Sequence, residues 1–336
     1  MSRGNGGTAE GAMGERAWWK RGMAGVWAIA AGTVVVHLAT GWRYGFDRDE
    51  LMALEDARHL AWGYVQYPPM TAFFGWIALK LFGTSLVGFR FFAALAQAAA
   101  LVLTGMMARE IGTTVASREW RVASEGKKNQ DPGSRNEPVE EDEDGETVEQ
   151  WDSRTVKAAS WMRRWLPAVL VVDAVVAGCV ALPIMPVNSQ WWKWAAKVDT
   201  VLPEEIGWPE LAEEVAKIRG GLPEGERGRM GVLAANYGEV GALNLYGEKY
   251  GLPRAISGVN SSWERGYGNP APETVIAVGF KREFLQENFA SCELAGHTWN
   301  RYGVANEETI EDADIFVCRR LKGSWEEFWP KVKLFA

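Results

Sequence analysis

Asp47, Asp49 and Glu50 place three carboxylates within four residues, with Arg48 among them. Acids grouped in this way suit proton transfer, because a carboxylate can take a proton from an attacking hydroxyl while its charge offsets a developing cation. A structural reading stands level with it. Asp47 or Asp49 can cap the helical stretch that follows, Leu51 to Trp62, and Glu50 falls in its first turn, where the helix dipole favours negative charge. A phosphate handled at the same surface needs cations, and Arg48, Arg58, Lys80 and Arg90 are available to meet it.

A second group lies far along the chain. The run Gly231 to Ala235 reads as a buried strand that breaks into Asn236-Tyr237-Gly238-Glu239, and ligands of parallel α/β sheets collect at such strand ends. Asn260 and Trp263 follow in a turn-rich loop between Gly258 and Gly266. Amide and aromatic side chains together suit a sugar, although turn chemistry and packing account for the same residues. Nucleotide loops of the G-x-x-x-x-G-K-[ST] and G-x-G-x-x-G kinds, the zinc pattern H-E-x-x-H and the nucleophile turn G-x-S-x-G are all missing. His37, His59 and His297 are the only histidines, so a histidine-rich metal site is not expected. Cys292 and Cys318 read equally well as a disulfide or as two thiols buried in neighbouring strands.

The elements that must carry these residues begin in lipid. Of the 336 residues 47% are hydrophobic, and they gather into long blocks flanked by many of the 18 Trp, as interfacial indoles are. Met23 to Thr40 is uncharged and follows Arg16, Lys20 and Arg21, which predicts an uncleaved first span with a cytoplasmic N-terminus, residues 1–22. Phe91 to Ala108 is a second span returning inward, and Leu166 to Val187, with Asp173 as its one charge, a third running outward. Pro68 to Phe89 is too short before Gly83 to cross, and reads as a helix lying on the outer face. Residues 41–90 and 188–336 are then outside and 109–164 inside. That inner stretch, from Gly112 to Ser160, has the composition of a disordered linker: nine acids and no base lie between Glu137 and Asp152. The formal charge is -7, so everything outside that run sums to +2, with no basic stripe for nucleic acid.

Beyond Trp208 short apolar runs alternate with charged stretches. Helices are expected at Pro209–Gly220, from Asn236 through Tyr250, at Glu283–Asn288 and at Trp325–Val332, and strands at Gly231–Ala235, Thr274–Val278 and Asp314–Cys318. This alternation predicts a small α/β domain with a largely parallel sheet.

Three segments, FDRDELMALEDARHLAWGYVQYPPM, LFGTSLVGFRFFAALAQAAALVLTGMMAREIG and NYGEVGALNLYGEKYGLPRAISGVNSSW, resemble bacterial family 39-type glycosyltransferases, relatives of the protein O-mannosyltransferases and lipid A aminoarabinose transferases. The resemblance covers roughly residues 20–112 and 165–336. It implies an integral membrane α-helical protein of GT-C type, here internally shortened to about three transmembrane helices, plus a C-terminal extracytoplasmic α/β domain. It also implies sugar transfer from a polyprenyl-phosphate donor at the outer face of the cytoplasmic membrane to an envelope glycan, lipid or protein. By the same resemblance the central acid is Asp49, with Glu50 beside it and Asp47 third. No organic cofactor is expected; a divalent cation stays open, as does a partner subunit completing the shortened helical part. The reading from a different class is a non-catalytic, membrane-anchored module that binds a glycan or another envelope component through Asn236, Glu239, Asn260 or Trp263.

Overall fold

The computed structural model describes residues 7–128, 182, 184–311 and 313–335. The chain divides into two compact units, Met1–Val35 with Ala94–Cys179 and Val36–Ala93 with Val180–Ala336. It opens on helices α1 (Gly7–Thr40), α2 (Arg48–Ala57), α3 (Pro69–Phe82) and α4 (Leu86–Lys128). Two stretches among the described residues are long and apolar enough to cross a membrane, Met23–Thr40 in α1 and Leu86–Glu110 in α4. Only 6% and 17% of them is buried, whereas a core helix of a water-soluble protein is mostly enclosed. In the first unit Gly105 lets α4 approach α1 closely: a Cβ there would lie 2.9 Å from Val26 Cγ1.

In the second unit α3 forms where an outer-face helix was expected. It buries Ala72, Gly75 and Ala78, spaced by three, and exposes Phe73, Phe74, Trp76 and Leu81. Gly83 ends it at φ 64°, a left-handed position that glycine takes without steric cost. Then follow α5 (Gln190–Val198), α6 (Trp208–Gly221), β1 (Met230–Ala234), α7 (Tyr237–Tyr246), β2 (Ala255–Ser257), β3 (Thr274–Val278), α8 (Arg282–Asn288), β4 (Phe289–His297), β5 (Asp314–Leu321) and α9 (Trp325–Phe328).

The sheet has the order β2-β1-β3-β5-β4. Its central strands are buried on both faces, so they read as unbroken apolar runs whose neighbours point to opposite sides. Val232, Ala234, Ile276, Val278, Ile315 and Val317 face one way, into a core shared with Trp208, Leu211 and Val215 of α6 and Val240 and Leu243 of α7. Leu233, Val275, Ala277 and Phe316 face the other, against Leu285, Phe289, Trp325 and Phe328. Phe46 and Leu51 join the first core, which fixes α2 to the domain. Gly241 completes that seat, because a Cβ there would lie 2.7 Å from the Leu51 carbonyl oxygen.

The expected largely parallel sheet is corrected to a mixed one. β1 pairs parallel with β2 and β3, but β5 runs antiparallel to both β3 and β4. The missing signal was β4, a half-exposed edge strand carrying Glu293 and Gly296 that follows α8 directly and lacks clean apolar alternation. Cys292 and Cys318 stand opposite each other on β4 and β5 and are joined in a disulfide, so of the two readings left open the disulfide holds and the pair of free thiols does not. The bridge closes a separation of 26 residues, for which chain entropy gives about 3.5 kcal/mol. Reduction, or Cys292→Ser, is expected to lower the urea midpoint of this unit accordingly. An unmoved midpoint would show that the bridge adds nothing.

Two boundaries differ from expectation. α4 continues to Lys128, past the Gly112 at which the acidic linker was expected to begin, while residues 129–160 lie outside the described residues. Of the third expected span, residues 166–181 and 183 also lie outside, and Ile184 to Val187 form turns.

Candidate active site

Two helix starts build the site. At α2, the Asp47 side chain accepts from the Asp49 backbone N–H at 2.9 Å, and Glu50 Oε2 accepts from the Asp47 N–H at 2.9 Å, a reciprocal cap that satisfies otherwise orphaned donors. Asp47 and Glu50 are therefore structural in the first instance. Burial raises the Asp47 carboxyl against the opposing pull of the Asp49 N–H. Glu50 is also gripped by Arg90, whose Nε and Nη2 each donate to one of its oxygens at 2.6 Å. Asp49, in the first turn but outside the cap's side-chain exchange, is exposed to solvent.

α7 repeats the device. Asn236 Oδ1 accepts from the Glu239 N–H at 2.8 Å, and Glu239 Oε2 accepts from the N–H groups of Asn236 and Ala235 at 3.1 and 2.9 Å. The first turn of α7 thereby presents Tyr237 toward α2. Its ring centroid lies 5.9 Å from the Arg48 guanidinium. Burial pushes the phenol up, and the charge of neighbouring Asp49 pushes it further. A residue expected in a separate sugar site is thus a neighbour of the acidic turn.

The cations divide. Arg48 donates to Glu307 at 2.8 Å, Glu308 at 2.7 Å and Glu204 at 3.2 Å, so its charge is more than matched. Burial raises the Glu308 carboxyl, and the neighbouring Glu204 adds to the rise. Arg90 is matched by Glu50 and also reaches Glu205 at 3.1 Å and the carbonyls of Gly41 and Gly45 at 3.3 and 3.1 Å. Arg58 and Lys80 form no carboxylate pair among the described residues; Arg58 donates to the Asn244 carbonyl at 3.0 Å, and the Lys80 ammonium sits 5.9 Å over Trp76.

Asn260 and Trp263 do not join Tyr237 as a sugar platform. Asn260 is buried, with Nδ2 3.8 Å from Met52 Sδ of α2. Trp263 packs in the second core, donates to the Trp329 carbonyl at 3.4 Å and carries the Lys333 ammonium 3.7 Å over its ring. Sequence reasoning missed the other end of α2, where buried Glu55 and Asp56 meet cations from far along the chain. Arg265 pairs with Asp56, Arg254 reaches Glu55 at 3.5 Å, and the Tyr67 hydroxyl donates to Asp56 at 2.7 Å. A separation of 209 residues between Asp56 and Arg265 leaves no local signal; the hint was two adjacent acids on an otherwise apolar helix face.

Glu205 supplies a pH test. It is 9% exposed, and burial pushes its carboxyl up to about 8, against Arg90, with Glu50 and Asp47 adding to the rise. The folded state therefore holds a proton that the unfolded chain, near 4.5, releases earlier. The stability this contributes is full below about pH 4.5 and is lost as pH rises through 8. The unfolding free energy from urea titration is expected to fall across that window, at up to about 1.4 kcal/mol per pH unit, and Glu205→Gln to flatten the fall. An unchanged slope in the variant assigns the titration elsewhere.

No group of three or more His, Cys, Asp or Glu that could hold a metal occurs among the described residues. No protein-family model, curated protein or solved structure matches the chain. A rigid capped turn holds one exposed carboxylate beside a phenol, an arrangement able to accept a proton from an incoming hydroxyl.

Proposed function

We propose that the chain is a membrane glycosyltransferase that moves a hexosyl or pentosyl unit from a polyprenyl-phosphate donor to a hydroxyl of an envelope acceptor, with Asp49 as general base. The observation that carries it is the division of labour at α2: capping holds Asp47 and Glu50, while Asp49 is exposed and set against Tyr237. In the transfer the acceptor oxygen bonds to the anomeric carbon and its proton passes to the Asp49 carboxylate. The bond from that carbon to the phosphate oxygen breaks, and the phosphate leaves with the electron pair.

Two helices able to cross a membrane support a place in the cytoplasmic membrane with more than one pass. The Cys292–Cys318 disulfide supports an extracytoplasmic second unit, where oxidising conditions preserve such bonds. Arg48 and Arg90 are already neutralised by carboxylates, which leaves Lys80 as the cation of the original set best suited to the leaving phosphate. Arg58 stands nine residues beyond Asp49, about 13 Å along α2, and serves a different part of the substrate. The non-catalytic reading has less support, because Asn236 and Glu239 hold each other in the α7 cap.

The test is transfer of radiolabelled sugar from a panel of polyprenyl-phosphate donors by the purified chain in detergent. Turnover carries the assignment, and a folded chain inactive with every donor sinks it.

A further inference from the structure

Beyond the end of α2 lies a cleft of about 410 Å³, lined chiefly by Glu55, Arg58, His59, Leu252, Pro253 and Arg254. Glu55 and Arg58 are held in place. Glu55 is 3% exposed and faces His59 Nδ1 and Arg254 Nη2, each at 3.5 Å. Arg58 is fixed through one nitrogen to the Asn244 carbonyl at 3.0 Å. Asn244 is itself pinned, since its Oδ1 accepts from the Ala255 N–H at 2.8 Å. Most of the Arg58 fork is left without a protein partner among the described residues, and Arg254 has only the long contact to Glu55. Guanidinium forks in that condition match the paired oxygens of a carboxylate or phosphate.

The rest of the lining favours a sugar ring. Leu252 and Pro253 offer apolar surface to ring C–H groups, and Glu248, exposed at the rim, can accept from hydroxyls. The volume exceeds what a bare phosphate needs. The C-terminal end of α2 opposes an anion with roughly half a charge and Glu55 and Glu248 add carboxylates to the lining, although Glu55 is shared with Arg265 at 3.7 Å; an anion is therefore held by direct pairing with the two guanidinium forks rather than by a positive net charge.

We infer that this cleft binds an anionic saccharide, one carrying a carboxylate or a phosphate group, through Arg58 and Arg254. As the site of the acceptor glycan it rests on the transferase reading; as a binding site it does not. Asp49 lies at the opposite end of α2, so the cleft holds a unit of the acceptor away from the reacting hydroxyl.

The experiment is calorimetric titration of the full detergent-solubilised chain with glucuronate, glucose 6-phosphate, glucose and inorganic phosphate. At least one anionic sugar is expected to bind tenfold or more tightly than both glucose and inorganic phosphate. Binding by glucuronate alone or by glucose 6-phosphate alone names the anion. Arg58→Gln and Arg254→Gln are each expected to weaken it at least tenfold, with partial recovery in Arg254→Lys. Equal binding of glucose, equal binding of inorganic phosphate, no binding at all, or indifference to both glutamine variants overturns the proposal. Asp49→Asn keeps the affinity if the cleft is the site, so lost transfer with intact binding separates this inference from the assignment of the base.

Discussion

Arg90→Met is expected to unfold the second unit at markedly lower urea or temperature, by about 3 kcal/mol, near the lower end of what breaking a buried ion pair costs. Arg90 is 16% exposed in its side chain and matches one charge, that of Glu50, through two parallel hydrogen bonds. It also supplies donors to the Gly41 and Gly45 carbonyls and to Glu205. Without it the Glu50 charge stands poorly solvated beside Glu205, and two backbone carbonyls lose their donor. Arg90→Lys restores the charge but not the fork, so it is expected to recover only a minor part. Glu50→Gln alone costs stability too. The Arg90→Met, Glu50→Gln double variant is expected to lose less than the two single losses added together, because each single change strands the other partner. Additive losses would show that the pair does not act as a unit.

That pair also shows what the sequence carried and what it did not. The acidic turn announced itself, because three carboxylates in four residues before a helix have few explanations, and the capping explanation holds for Asp47 and Glu50 while Asp49 stays outside it. Which acid does which task depends on hydrogen bonds from the helix's own N–H groups and on Arg90, forty residues away. The apolar blocks Met23–Thr40 and Phe91–Ala108 were legible because length and lack of charge suffice. Strands β1, β3 and β5 were legible because burial on both faces gives unbroken apolar runs. β4 was not, since one half-exposed edge strand fixes the mixed sheet and its pattern is weak. Arg48 and Arg90 looked like phosphate ligands because one chain position cannot show the carboxylates that meet it from Glu204, Glu205, Glu307 and Glu308. Tyr237 moved the other way: sheet and helix geometry carry it from a distant loop to the acidic turn.

Asp49→Asn is expected to lower transfer by about 10² to 10⁴, the range a positioned general base contributes, while leaving unfolding within about 0.5 kcal/mol of the parent. The second expectation follows from position. Asp49 is exposed and its backbone, not its side chain, takes part in the cap, so the amide perturbs proton acceptance without loosening α2. The neighbouring acids provide the contrast. Asp47→Asn keeps a good capping residue and is expected to keep transfer within a few fold. Glu50→Gln weakens the grip of Arg90 and is expected to show its effect chiefly as lost stability, with the rate per folded molecule largely retained. Tyr237→Phe removes the hydroxyl beside Asp49 and is expected to cost roughly tenfold, as loss of a positioning group does when the reacting group remains. The order Asp49, then Tyr237, then Asp47 is what sets catalysis apart from a capping role. A capping role would rank Asp47 and Glu50 first and would move stability and transfer together. If transfer survives intact in Asp49→Asn while Glu50→Gln abolishes it in a folded chain, the base is the residue that Arg90 holds, and the cap itself would have to open for turnover.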